Sequence, residues 1–177
     1  MTKHIAFLRA INVGGHTVKM DVLRQLFESL GFSNVETFIA SGNVLFETNS
    51  KNADDLETKI ESRLRETLGY DVATFVRTDA DLKAVAVYKP FPQSQLDAAT
   101  AFNVAFLKES LDNKTKQKVM ALRSAIDDFH IHESELYWLC KKKQSDSKFS
   151  NAVLEKTIGK PSTIRGMATI QKIAAKY

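Results

Sequence analysis

The spacing of apolar residues predicts the same order of elements twice along this chain. Between residues 5 and 78 it indicates strand, helix, strand, strand, helix, strand, and the same order recurs between residues 102 and 164. This β-α-β-β-α-β order is typical of the split βαβ, or ferredoxin-like, unit. We therefore expect an α+β fold in which two ferredoxin-like halves, each with an antiparallel sheet, pack into one compact unit.

The predicted strands and helices are bounded by turn-forming residues. In the first half we predict strands at 5–9, 36–41, 44–48 and 72–78 and helices at 22–30, 56–68 and 82–87. In the second half we predict strands at 102–107, 129–132, 136–140 and 162–164 and helices from about 110 or 112 to 122, at 149–158 and at 166–176. Gly42 and Asn43 predict a tight hairpin turn between two of these strands.

A proline-containing segment at 89–93 interrupts regular structure and marks the junction between the halves. We place the first half at 1–88 and the second, with the C-terminal helix, at 89–177, or both within one integrated domain. The central strands are apolar on successive residues, whereas a sheet with one wet face alternates. We therefore expect helices on one face of each sheet and the partner half on the other, which removes the open face that RNA-binding domains of this topology use.

Charge is concentrated near the C-terminus. The chain has a formal net charge of +4, and residues 141–177 hold nine basic and two acidic side chains. Such a segment attracts anionic ligands or polyanions, or is a solvated face. With one cysteine, no internal disulfide and no apolar stretch long enough to span a membrane, we expect a cytoplasmic protein.

The densest local motif is RAINVGG at residues 9–15, between a strand and a helix. Paired glycines favour a turn with positive φ, and the alternative is an anion held by exposed amides. Neither a dinucleotide fingerprint nor a phosphate loop is present, so we predict no cofactor. The side chains at 41–43 could project to the sheet end where this loop lies. Antiparallel pairing would instead put the loop and Asn43 at different ends, with Ser41 as the neighbour of the loop, and the sequence leaves both arrangements open.

Two histidines, the cysteine and a run of lysines could also have functional roles, but for each of them we favour a simpler explanation. His130 and His132 share a strand face, but no third ligand accompanies them, so we predict no metal. Cys140 is expected to be a buried structural thiol, since no base can be assigned to it. The lysines at 141–143 favour nucleic-acid binding only through their charge.

Four short motifs resemble those of an uncharacterised bacterial family, a domain-of-unknown-function group with the signature LRGINVGG, SGNVxF, SKL and TxRNWxT. The matching segments here are LRAINVGG at 8–15, SGNVLF at 41–46, SKF at 147–149 and TIRGMAT at 163–169. The resemblance implies a compact α+β fold with two ferredoxin-like halves and supplies no established activity or catalytic residue. Ala10 stands where the family has glycine, and Gly166-Met167 replaces Asn-Trp.

We predict that the motif residues bind a small anionic ligand, such as a nucleotide or phosphorylated metabolite, in a cleft between the halves. Arg9, Lys148 and Arg165 would face the anion. The candidate binding residues are Arg9, Asn12, Gly14, Gly15, Ser41, Asn43, Ser147, Lys148, Thr163 and Arg165. The alternatives are nucleic-acid binding through 141–177 and a structural or protein-interaction role without a ligand.

Overall fold

The computed structural model describes residues 1–12, 15–39 and 42–177. Its internal contacts divide the chain into two units. Unit 1 consists of Met1–Ala86 and Gln171–Tyr177, and unit 2 consists of Val87–Ile170.

Unit 1 has the predicted β-α-β-β-α-β order. Its elements are β1 (Thr2–Leu8), α1 (Met20–Ser29), β2 (Ser33–Thr37), β3 (Asn43–Thr48), α2 (Ala53–Leu68), β4 (Thr74–Thr78) and α3 (Asp79–Val87), the last residue of which begins unit 2. The strands pair antiparallel in the order β2-β3-β1-β4. This arrangement confirms the ferredoxin-like topology for the first half.

The helices of unit 1 pack against one face of its sheet. Phe27 of α1 and Ile60 of α2 are buried in the same apolar cluster as Phe46 of β3. The boundaries of α2 follow from local chemistry: the Asn52 side chain accepts a hydrogen bond from the Asp55 amide at 3.1 Å, and Gly69 ends the helix with φ +82°.

Unit 2 repeats this architecture. Its elements are α4 (Gln93–Ala98), β5 (Ala101–Leu107), α5 (Asn113–Met120), β6 (Asp127–His132), β7 (Glu135–Cys140), a 3₁₀ helix (Gln144–Asp146), α6 (Asn151–Ile158), β8 (Ser162–Gly166) and most of α7 (Met167–Lys176). The strands pair antiparallel in the order β6-β7-β5-β8, the same order as in unit 1. The short helix α4 was not predicted, because it buries no side chain and so leaves no apolar periodicity in the sequence.

Both faces of the central strands are buried. In β1 the neighbouring residues Ala6 and Phe7 point to opposite faces, and both have no exposed surface. Ala105 and Phe106 occupy the corresponding positions of β5 and are also buried. The uninterrupted apolar runs in these strands therefore correspond to side chains that are buried on both faces of the sheet.

The hairpin of unit 1 differs from the prediction. Strand β2 ends at Thr37 rather than near residue 41, and Asn43 is the first residue of β3 rather than part of a two-residue turn. The connection is longer because β2 stops pairing with β3 at the Thr37–Val44 pair, while Asn43 pairs with Phe7 of β1. Ile39 and Gly42, with φ of +58° and +77°, turn the chain.

The C-terminal segment also departs from the predicted division. We assigned the whole C-terminal helix to the second half, whereas Gln171–Tyr177 belongs to unit 1. The Tyr177 hydroxyl donates a hydrogen bond to the carbonyl oxygen of His4 at 3.1 Å, and Lys176 Nζ lies 2.8 Å from a carboxylate oxygen of Glu36. These contacts hold the segment to β1 and β2.

Candidate functional site

The motif residues of unit 1 meet at one end of its sheet. The Leu8 amide donates a 2.8 Å hydrogen bond to the Gly42 carbonyl, directly beside the Phe7–Asn43 pair. Of the two arrangements that the sequence left open, the structure has the one in which the end of β1 and Asn43 lie at the same end of the sheet. In an antiparallel pair the end of one strand lies beside the start of the other, and this applies to β1 and β3.

Gly42 is required where these two segments touch. A Cβ atom at this position would lie 2.9 Å from Cγ2 of Ile11 and 3.1 Å from both Cβ and the carbonyl oxygen of Leu8. The residue also has φ +77°. Both the close approach and the left-handed backbone therefore select glycine here.

The loop that follows β1 is held by its own polar groups. Asn12 Oδ1 accepts a 2.8 Å hydrogen bond from the Val18 amide, and the Tyr70 hydroxyl donates to the Ile11 carbonyl at 3.3 Å. The ring of His16 stacks on that of Tyr70 with centroids 3.8 Å apart. Asn12, a predicted ligand-binding residue, thus shapes the loop.

Asn43 has a comparable structural contact. It is buried, and its Nδ2 donates to the Phe38 carbonyl at 3.1 Å, which closes the β2–β3 connection. Arg9 is half-buried and its amide donates to the Ala73 carbonyl at 2.9 Å. Gly15 is exposed with φ +83°.

Two further predicted residues of this region, Gly14 and Ser41, lie outside the described residues.

In unit 2, Ser147 belongs to a hydrogen-bond network around a buried carboxylate. Asp127, at the start of β6, is 5% exposed. Its Oδ2 accepts hydrogen bonds from Ser147 Oγ at 2.7 Å and Ser124 Oγ at 2.9 Å, and its Oδ1 accepts one from Trp138 Nε1 at 2.9 Å. Three donors satisfy the carboxylate and connect β6, β7 and the segment before α6.

A cavity of about 440 Å³ opens beside this network. It is lined by Leu122, Ser124, Ala125, Ile126, Asp127, Asp146, Lys148, Phe149 and Val153. Phe149 is buried, Leu122 and Ile126 are half-buried, and Asp146 and Lys148 are exposed. The cavity therefore has largely apolar walls that include the buried carboxylate of Asp127, with charged residues at its mouth.

Thr163 and Arg165 lie on the opposite face of the unit 2 sheet. Between them, Ile164 packs with the apolar cluster on the helix-covered face, so its neighbours in β8 point the other way. Arg165 Nη1 donates to Thr163 Oγ1 at 2.7 Å and to the Ile164 carbonyl at 3.0 Å. Burial lowers the pKa of the Arg165 guanidinium to about 10. Within unit 2, Lys148 and Arg165 are thus separated by the sheet.

The basic segment 141–177 is not one continuous cationic surface. Lys160 is paired with Glu109, Lys176 is paired with Glu36, and Arg165 is half-buried. The segment is also divided, because its last seven residues belong to unit 1. Lys148 is exposed and lines the cavity, and the exposed lysines at 141–143 are joined to its wall through the Lys141 amide, which donates to the carbonyl of Ile126 at 2.8 Å.

The two histidines of β6 contact an aromatic side chain. His130 Nε2 lies 2.8 Å from the Tyr88 hydroxyl, and the ring of His132 stacks on Tyr88 at 4.4 Å. Across the described residues, no group of three His, Cys, Asp or Glu side chains is placed to hold a metal ion. Cys140 is fully buried, and burial raises the pKa of its thiol, as suits a structural residue.

The residue that sequence analysis missed is Asp127. Two of its three donors are distant in the chain: Trp138 lies eleven positions away and Ser147 twenty. The sequence does carry one local signal, because Ser124 precedes Asp127 by three residues. The Ser124 hydroxyl accepts a hydrogen bond from the Asp127 amide at 3.0 Å, and this turn places the carboxylate at the start of β6.

The comparisons with known proteins agree with this architecture. A family model described as "Protein of unknown function (DUF1697)" matches residues 1–137, which include the first two motifs. The solved structure of the conserved bacterial protein SP0830 from Streptococcus pneumoniae is similar, with a TM-score of 0.81 and 23% sequence identity, over 99% of this chain and 98% of that chain. No curated protein matches the sequence.

Proposed function

Since this chain belongs to the DUF1697 family of proteins of unknown function, we propose a function from its own geometry: it binds a small anionic ligand in the cavity of unit 2. The observation that carries the proposal is the position of Lys148 on the lining of an otherwise largely apolar cavity. Such a combination of apolar walls and a few polar groups is typical of small-molecule sites.

The walls of this cavity are fixed before any ligand arrives. Asp127 joins the wall to Ser147, the residue before Lys148, through a 2.7 Å hydrogen bond. The Phe149 amide donates a hydrogen bond to Ser147 Oγ at 2.9 Å, so the two residues that flank Lys148 are joined to each other. A preformed site loses little conformational entropy on binding.

Charge near the mouth favours an anion. The exposed lysines at 141–143 follow β7, and their segment is joined to the cavity wall at Ile126. Their field would raise the local concentration of an anionic ligand, and Lys148 would contact it. The ion pairs of Lys160 and Lys176 and the burial of Arg165 favour this local site over a nucleic-acid surface along 141–177.

We also propose that the protein acts in the cytoplasm. The free thiol of Cys140 is buried, and such cysteines are common in reducing compartments. In the part of the chain that the structure describes, none of the helices has the length and apolar character needed to cross a bilayer.

Thermal unfolding in the presence of small anions tests the binding proposal. The probes are octanoate, benzoate, inorganic phosphate and AMP at millimolar concentration. We expect at least one to raise Tm, because a ligand at 100 times its Kd adds about 2.7 kcal/mol to stability. Lys148→Glu should abolish that shift by placing a third carboxylate on the lining, beside those of Asp127 and Asp146.

Lys156→Glu is the matched control, because Lys156 is an exposed lysine of α6 that does not line the cavity. It should leave the Tm shift intact. The proposal fails if no anion changes Tm, or if the two variants reduce the shift equally.

A further inference from the structure

We infer that the cavity of unit 2 is selective for an amphiphilic organic acid with one negative charge, and against nucleotides and other phosphorylated ligands. The inference rests on the proposed function and narrows its ligand class. The apolar body of the ligand would lie against Leu122, Ile126 and Phe149, with its single acidic group at Lys148.

The apolar interior is rigid and large enough to determine affinity. The Phe149 ring lies edge-on to Trp138 at 4.8 Å and tilted against Phe129 at 4.6 Å, so it is held between two aromatic neighbours. Leu122 and Val153 pack against the same cluster. A ligand that covers this surface gains about 25 cal/mol for each Å² of apolar area removed from water.

The charged side chains that line the cavity suit a ligand with one negative charge rather than several. Lys148 is the only basic side chain among the described residues that line it, and the same lining includes the carboxylates of Asp127 and Asp146. Lys148 would neutralise one acidic group, whereas additional negative charge would lie near the two carboxylates and be repelled.

The hydrogen-bond donors of the cavity are also unsuited to a phosphate. The Ser124 hydroxyl, the one hydroxyl on the described lining, donates to Asp127 at 2.9 Å. Phosphate sites usually present an arginine fork or several backbone amides at a helix start or glycine-rich loop. An organic acid needs fewer donors, and the lysine ammonium supplies three.

Isothermal titration of the full chain with four probes of defined chemistry tests this inference. Octanoate has an apolar body and one charge, acetate has the charge alone, and octanol has the body alone. Octyl phosphate has the same body with a charge approaching two at pH 7.5. We expect octanoate to bind at least tenfold more tightly than each of the other three.

Two variants locate the binding. Lys148→Gln should weaken octanoate about tenfold and leave octanol unchanged, whereas the control Lys156→Gln should alter neither. Val153→Trp, which fills the cavity from a half-buried position, should weaken octanoate and octanol together.

The outcomes separate this inference from the proposed function. If octyl phosphate binds as tightly as octanoate and both depend on Lys148, the ligand class is wrong but an anion site stands. If octanoate binds equally well to Lys148→Gln, the assignment of the acidic group is overturned. If neither of these probes nor phosphate nor AMP binds, the proposed function fails and the inference fails with it.

Discussion

The Ser147 hydroxyl donates a 2.7 Å hydrogen bond to Oδ2 of Asp127, twenty residues earlier in the chain. This bond explains why a serine precedes Lys148 in one of the motifs. Its immediate effect is structural, because it fastens the segment before α6 to the start of β6. The lysine that follows is thereby positioned at the cavity, so a structural hydrogen bond determines where a binding group lies.

Replacing the buried carboxylate should therefore cost stability. Asp127→Asn puts an amide donor among three donors, so at least one buried group loses its partner, and we expect a loss of about 2–3 kcal/mol in the free energy of unfolding. Ser147→Ala removes one donor and should cost about 1 kcal/mol. Urea denaturation monitored by circular dichroism measures both.

The control for these variants is Asp146→Asn, at an exposed aspartate on the same cavity mouth. It should change stability by less than about 0.5 kcal/mol. Equal effects of the Asp127 and Asp146 substitutions would contradict the network as the source of stability.

Ala10 occupies a backbone conformation that suits glycine. Its φ is +53°. A left-handed conformation costs an alanine roughly 1–2 kcal/mol, and part of this is offset because glycine loses more backbone entropy on folding. We expect Ala10→Gly to raise the free energy of unfolding by about 0.5–1 kcal/mol. Ala152→Gly, at an exposed position within α6, should lower it by about the same amount.

Gly42 should tolerate no side chain. Gly42→Ala combines the left-handed backbone with a Cβ atom 2.9 Å from Ile11 Cγ2, and we expect a loss of about 2–3 kcal/mol. Gly69→Ala is the matched control, since Gly69 has φ +82° but no heavy atom of the described residues lies within 4 Å of an added Cβ. It should lose only about 1 kcal/mol. Equal losses in thermal or urea unfolding would mean that the contact with Ile11 relaxes at no cost.

His4 should make stability depend on pH. It is 1% exposed, stacks on Phe46, and its buried Nε2 has no hydrogen-bond partner among the residues that the structure describes. Burial lowers the pKa of His4 below its ordinary value of 6.5, although a backbone hydrogen bond and the charges of Asp79 and Asp81 partly oppose this.

The direction of the pH effect follows from proton binding. Below pH 6.5 the unfolded chain takes up a proton at His4 that the folded chain resists. The free energy of unfolding therefore has its full value above this pH, where His4 is neutral. It decreases as the pH falls, by up to about 1.4 kcal/mol per pH unit.

His4→Asn should remove this part of the pH dependence, and His16→Asn, at an exposed histidine, should retain it. Urea unfolding at pH 5 to 8 provides the measurement. An unchanged slope in His4→Asn would assign the acid sensitivity to another group.

The fold was largely predictable because its signals are local. The apolar stripe and terminal glycine of α2, and the hairpin of β6 and β7, depend on residues a few positions apart.

Unit 1 and unit 2 also share a feature that only the strand register shows. Arg77 of β4 pairs with Ile5 of β1, and in the same way Arg165 of β8 pairs with Val104 of β5. Each arginine donates from Nη1 to the carbonyl of the preceding residue.

The candidate site was predictable only in part. Lys148 was identified from its motif, but the cavity that it borders and the role of Asp127 were not. Asn12 and Asn43 were identified as binding residues, and both instead make hydrogen bonds to nearby backbone. A motif indicates that a position is constrained, but it does not distinguish a ligand contact from a turn-forming one.

By itself, the sequence determined the order of the strands and helices and the α+β topology of each half, because backbone preferences and apolar spacing act over one or two turns of chain. Tertiary structure alone decided that Leu8 meets Gly42, that Ser147 satisfies Asp127, and that Lys148 and Arg165 lie on opposite faces of one sheet. These relationships depend on strand register and on which distant segments pack together. No local preference encodes them.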